Sequence, residues 1–145
     1  FDATGQFCSL HGRAVVDTKG APKTLWPSGF QASGLFMPNR QAVKMMRGKG
    51  KPADGLLFVE GITDFIKASS VAESEGLDLA VLGGTSGSFQ SIGQIRIPDE
   101  MKIYVGTDPD DKGDQYAKTI QMQLGGKKSF RLPLRSVDGG DGERP

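Results

Sequence analysis

One cysteine and one histidine are all that this 145-residue chain offers of two common transition-metal ligands. A lone Cys8 excludes an intramolecular disulfide framework and a multi-cysteine zinc site. Cys8 and His11 stand at C-x-x-H spacing, but zinc would need two further ligands. A small buried thiol and an ordinary histidine is the plainer reading. No run of about 18 apolar residues is present, so no transmembrane helix is expected. There is no signal-peptide pattern, no convincing internal repeat and no low-complexity tract. A cytoplasmic setting is a default expectation and not a finding. The sequence starts at Phe1, without Met and within structured-looking sequence, so a piece of a longer protein is expected. The net charge of +1 excludes a strongly basic protein. It averages over opposites, because the stretch from Arg13 to Lys51 is basic and that from Asp108 to Asp114 is acidic. Such asymmetry suits a polyanion held by cations at one place and a metal at another.

What is present is globular: 37% hydrophobic and 24% charged residues, enough for one domain with a small subdomain attached. Residues 1–40 are punctuated by Gly5, Gly12, Gly20, Pro22, Pro27, Gly29, Gly34 and Pro38. Short β-like pieces lie between them, among them GRAVVD and KTLW, and predict a meander of short strands. QAVKMMRGKGKPADG starts as a helix and ends in a basic loop. Lys44, Arg47, Lys49 and Lys51 could meet a nucleic-acid backbone; a solvated loop is the commoner explanation.

From residue 56 the texture changes. LLFVE, DLAVLGG, MKIYVGTD and KKSFRLPL read as strands. TDFIKASSVAESEG and KGDQYAKTIQMQLGG read as helices closed by Gly76 and Gly125. TSGSFQSIGQI is a weaker helical piece, and Phe65, Phe89 and Met101 look like core. The strands are apolar on both faces, which predicts an α/β fold with a parallel sheet covered by helices.

In such sheets ligands bind beyond the carboxyl ends of the strands. The first strand ends at Glu60 and the third at Asp108, with Asp110 two residues on. If the two strands are neighbours, three hard oxygen ligands converge, which suits Mg²⁺ or Mn²⁺ with phosphate completing the shell. Phosphoryl-transfer chemistry follows from such a site. The competing explanation is local: Asp108 as a helix N-cap, with Asp110 and Asp111 as favourable first-turn charges. An EF-hand is a poor alternative, since Thr119 stands where the bidentate Glu would be needed. LGGTSGS could offer backbone N–H groups to a phosphate. It lacks the order of a P-loop and of G-x-G-x-x-G, and an ordinary strand–helix turn explains it equally well.

The order of these motifs resembles the TOPRIM domain, the catalytic domain shared by bacterial-type DNA primases, type IA and II topoisomerases and some nucleases. A strand-end Glu followed by Gly is matched by Glu60 and Gly61. A later D-x-D pair followed by Gly is matched by Asp108, Asp110 and Gly113. The likeness spans roughly residues 56–135. Primases are most similar. Their acidic segment resembles DPDDKGDQYA, with Lys112 where Ala is usual, and their Leu-Gly-Thr-Ser turn resembles Leu82 to Ser86. Asp64 matches a further acid of the glutamate segment. LHGRAVVDTKGAPKTLW resembles the segment preceding the primase TOPRIM domain, where Arg13 and Lys23 match basic positions. A further basic residue usual before Gly34–Leu35 is absent.

This resemblance implies a Rossmann-like TOPRIM catalytic domain over 55–145, preceded by a β-rich, basic segment over 1–54. The implied activity is that of a primase-type nucleotidyltransferase, a DNA-directed RNA polymerase making RNA primers on single-stranded DNA. Glu60, Asp108 and Asp110 are the implied catalytic and Mg²⁺ (or Mn²⁺) residues, with Asp64, Asp138 and Asp141 as additional metal candidates. Arg13, Lys23, Gly84, Thr85, Ser86 and Lys112 are the implied nucleotide- and DNA-binding residues. Single-stranded DNA, nucleoside triphosphates and a replicative helicase are the implied partners, with no membrane. Two alternatives stay open: another TOPRIM enzyme such as a metal-dependent nuclease, and a non-catalytic nucleic-acid-binding module. A topoisomerase is disfavoured, because Tyr104 and Tyr116 both sit in structural-looking elements.

Overall fold

The computed structural model describes residues 1–13, 19–20, 22, 24–30, 33–85 and 88–132. Two layers of helix cover a five-stranded sheet, as the doubly apolar strands predict. In chain order the elements are β1 (Gly12–Arg13), β2 (Thr24–Leu25), β3 (Phe36–Pro38), α1 (Arg40–Met46), β4 (Gly55–Glu60), α2 (Gly61–Ser74), β5 (Leu79–Gly84), a 3-10 helix (Ser88–Gln94), β6 (Lys102–Gly106), α3 (Asp111–Gln123) and β7 (Ser129–Arg131). β1 and β2 form a separate antiparallel pair, with Arg13 opposite Thr24. The main sheet runs β3-β5-β4-β6-β7. β4 pairs in parallel with both β5 and β6, and β6 with β7, while β3 runs antiparallel to β5.

Alternation along β4 divides the core. Leu56 and Phe58, both fully buried, join Ala42, Met45 and Met46 of α1, Phe89 and Ile92 of the 3-10 helix, Ala117 and Ile120 of α3, and Leu124 at its C-cap. Val59 and Leu57 point the other way, toward Phe65, Ala68 and Ala72 of α2. Both faces of the central strand are thus sealed, which is why it carries no polar residue until Glu60. The edges are short. Pro38 lies on β3, where a missing N–H costs the ladder nothing on the solvent side.

The expected boundary between residues 54 and 55 falls between α1 and β4, but β3 crosses it by pairing with β5. Asn39 fastens that crossing. Its Oδ1 accepts from Ala42 N–H at 2.9 Å, capping α1, and from Val81 N–H at 3.0 Å. Its Nδ2 donates to the Leu79 carbonyl at 3.0 Å. One side chain therefore starts a helix and holds it against β5. No helix among the described residues is long and apolar enough to cross a membrane.

Asn39→Ala removes the cap and leaves the Val81 and Leu79 groups to find other partners. It should lower unfolding free energy by about 1–2 kcal/mol, measured by urea denaturation. Asn39→Asp, which keeps the acceptor, should recover part of the loss.

Candidate functional site at the carboxyl edge of the sheet

The chain leaves β4 to build β5 on one side, then returns across β4 to build β6 on the other. This reversal places a crevice between the carboxyl ends of β4 and β6, the position at which open α/β sheets bind ligands. Val59 pairs with Gly106, so Glu60 and the Thr107–Asp108 step emerge side by side. The sequence expectation that these strands are neighbours holds.

Two glycines give the edge its shape. Gly61 has φ of +82° and turns the chain from β4 into α2 directly after Glu60. Gly113 is needed for space instead: a Cβ there would lie 2.0 Å from the Asp108 carbonyl oxygen. Its absence lets the Asp108–Asp110 turn fold onto the start of α3. The N-cap of α3 is Asp110, not Asp108, and its Oδ1 accepts from Gly113 N–H at 2.7 Å. The capping and ligand explanations of these acids thus do not exclude one another. Asp110 caps with one oxygen and retains Oδ2, while Asp108 is exposed and caps nothing.

Glu60 occupies the N-cap position of α2 without making a cap hydrogen bond. Its side chain is 18% exposed, and Oε2 is buried with no hydrogen-bond partner among the described residues. Burial pushes its carboxyl up, and the charges of Asp108 and Asp110 push it further, against the pull of Lys112 and the Asp108 N–H. Asp64, in the first turn of α2, is raised by burial and by the same Asp108 charge, with Lys67 opposing. The charge of Asp108 thus acts on both Glu60 and Asp64, and that of Asp110 on Glu60, so the structure brings these four carboxylates near one another.

As placed, these side chains do not close into a three-ligand group: among the described residues no three His, Cys, Asp or Glu side chains could hold an ion together. The donor chemistry nevertheless fits a hard divalent cation. The oxygens are carboxylate, Lys112 compensates their field only in part, and a buried carboxylate oxygen of Glu60 is unpartnered among the described residues.

The remaining expected residues are distributed differently. Lys112 lies in the first turn of α3 with Nζ 3.7 Å from Glu60 Oε1. Contact with the Tyr116 hydroxyl, foremost, pushes its ammonium above the ordinary value. Gly84 belongs to β5 itself, and its missing side chain is filled by the Phe89 ring, 2.5 Å from where a Cβ would stand. Thr85 donates Oγ1–H to the Leu35 carbonyl at 2.7 Å, tying β5 to the segment before β3. Arg13 contributes backbone to β1. Lys23, Ser86, Asp138 and Asp141 lie outside the described residues. Cys8 donates its thiol to the Gln6 carbonyl at 3.2 Å, and His11 stacks on Trp26 at 4.4 Å. The half-buried thiol differs from the buried one expected.

Two residues escaped the sequence reading. Thr107 is 1% exposed, and its Oγ1 has no partner among the described residues although it adjoins Asp108. Arg131 on β7 pairs with Asp114 and donates Nη2–H to the Asp108 carbonyl at 3.1 Å. Asp114 is thus a clamp for the acidic turn as well as a first-turn charge. A D-x-D-centred reading could have found Thr107 by adjacency; only the pairing of β7 with β6 reveals Arg131.

No family model matches the chain, and no curated protein or solved structure matches it.

Because folding raises the Glu60 carboxyl above its ordinary value, the fold binds that proton more tightly than the unfolded chain does. Stability therefore falls as pH climbs through the raised value, and the penalty vanishes at lower pH where Glu60 is protonated in both states. Glu60→Gln should raise the melting midpoint of metal-free protein by about 2 °C at neutral pH. Calorimetry at neutral pH and below pH 4 should show that gain only in the first case.

Proposed function

We propose that this chain is a TOPRIM-type catalytic domain that performs primase nucleotidyl transfer, extending RNA on a single-stranded DNA template. The observation that carries the reading is the meeting of Glu60 and Asp108 at the carboxyl ends of adjacent parallel strands, where the winding reverses. The motif order read from the sequence supports the primase choice within that reading.

Glu60, Asp108 and Asp110 would hold the divalent ion, with Asp64 adding charge from α2. A divalent ion bound there supplies neutralisation of triphosphate charge and activation of the attacking hydroxyl. The chain's residues define where this happens. Gly61 and Gly113 set the crevice, the Asp110 cap holds the turn, and Arg131 fixes the Asp108 carbonyl. In the reaction, a primer 3′-oxygen forms a bond to the α-phosphorus of a nucleoside triphosphate. The bond from that phosphorus to the β-phosphate bridge breaks, and pyrophosphate leaves. Glu60, whose carboxyl is pushed up by burial and then by neighbouring charge, would act either as an ion ligand or as the base that takes the hydroxyl proton.

Mn²⁺ titration followed by electron paramagnetic resonance should show saturable binding by the wild type. Asp108→Asn and Glu60→Gln should each weaken it by about tenfold or more. Template-dependent ribonucleotide incorporation should fall by about 10²-fold or more in both variants. Metal-dependent cutting of DNA without nucleotide would point to a nuclease. Absence of saturable Mn²⁺ binding would point to a non-catalytic module.

A further inference from the structure

We propose that Lys112 is a tethered counter-ion that holds the Glu60 carboxylate until a divalent ion takes its place, and then carries its charge to the polyphosphate of the nucleotide. This rests on the functional reading above and assigns a positioning role to a residue that departs from the primase-like pattern.

Three features of the edge lead to it. First, Lys112 Nζ stands 3.7 Å from Glu60 Oε1, a Coulomb contact beyond ordinary hydrogen-bond length, and the lysine side chain is 66% exposed. Such a pair forms and breaks at little cost. Second, the ammonium is not loose. It lies 5.3 Å from the ring centroid of Tyr116, one helical turn on, and Tyr116 packs edge-on against Phe89 at 5.1 Å. Phe89 is itself buried in the core, filling the space beside Gly84. The lysine is thus poised from a fixed platform between two partners. Third, the pair leaves Glu60 Oε2 buried and without a partner among the described residues. A single ammonium therefore compensates only part of the carboxylate, and a divalent ion, able to reach both oxygens and the neighbouring aspartates, has the stronger claim.

Displacement frees a flexible point charge one residue from Asp111 and two from Asp110, at the mouth of the crevice. A compact ammonium of this kind recognises phosphate as a point charge without demanding a fixed angle. The ligand class is a nucleoside polyphosphate bound together with the metal.

The account predicts opposite effects on two ligands, which a purely structural lysine would not give. With Mn²⁺ alone, Lys112→Ala should bind the ion about three- to fivefold more tightly than wild type. With α,β-methylene ATP at saturating Mn²⁺, the same variant should bind the nucleotide about tenfold more weakly. Lys112→Arg should restore both toward wild-type values, and circular dichroism should show equal helix content in all three proteins. Parallel loss of both affinities, or no change in either, overturns the role of Lys112 while leaving the metal site standing. Wild-type protein that binds no Mn²⁺ overturns the metal site and this role together.

Discussion

The parallel register of β4 on β6 is the constraint from which the site follows. It is set by burial: Leu56, Phe58, Ile103 and Val105 are all nearly inaccessible and belong to one cluster, and a slip of one residue would turn a strand's residues from that cluster to the opposite face of the sheet, where they do not match their neighbours. Once that register is fixed, Glu60 and Asp108 must emerge together. The acids do not attract one another into place. Hydrophobic packing forces like charges to one edge, and the carboxyls of Glu60 and Asp64 are raised there, first by burial and then by the charge of Asp108.

Local devices around that edge make the crowding tolerable. Asp110 spends one oxygen on the start of α3, where a negative charge also meets the favourable end of the helix dipole. Arg131 reaches from the edge strand to Asp114 and to the Asp108 carbonyl, pinning the turn without neutralising the Asp108 carboxylate. Lys112 approaches Glu60 but leaves half of it unsatisfied. Each device leaves at least one carboxylate oxygen at the edge unengaged.

Much of this was legible in the sequence, for identifiable reasons. The runs LLFVE and MKIYV are apolar on both faces, so their place in the sheet interior could be read from composition, and acids directly after them had to fall at strand ends. Helices α2 and α3 follow from apolar spacing and the positive-φ glycines Gly76 and Gly125 that close them. The exchange of capping roles between Asp108 and Asp110 was not legible, because both spacings place an acid before Lys112 and only the turn geometry decides. Arg131 was hidden for another reason: its contacts span 17 and 23 residues and depend on β7 joining β6. LGGTSGS, with its Gly83 and Gly84, allowed a phosphate-cradling loop and an ordinary strand–helix turn equally, because glycine serves close backbone approach and close packing alike. Here the rings of Phe65 and Phe89 crowd the positions where side chains would stand.

The central claim is that carboxylates brought together by the β4–β6 register share one divalent ion. A crystal structure from Mn²⁺-soaked crystals, with anomalous differences collected at the manganese edge, tests it most directly. The account predicts a single strong peak at about 2.0–2.3 Å from oxygens of Glu60, Asp108 and Asp110, with Lys112 Nζ moved away from Glu60. A map without a peak in that crevice, with the Glu60–Lys112 contact intact at saturating Mn²⁺, would contradict it.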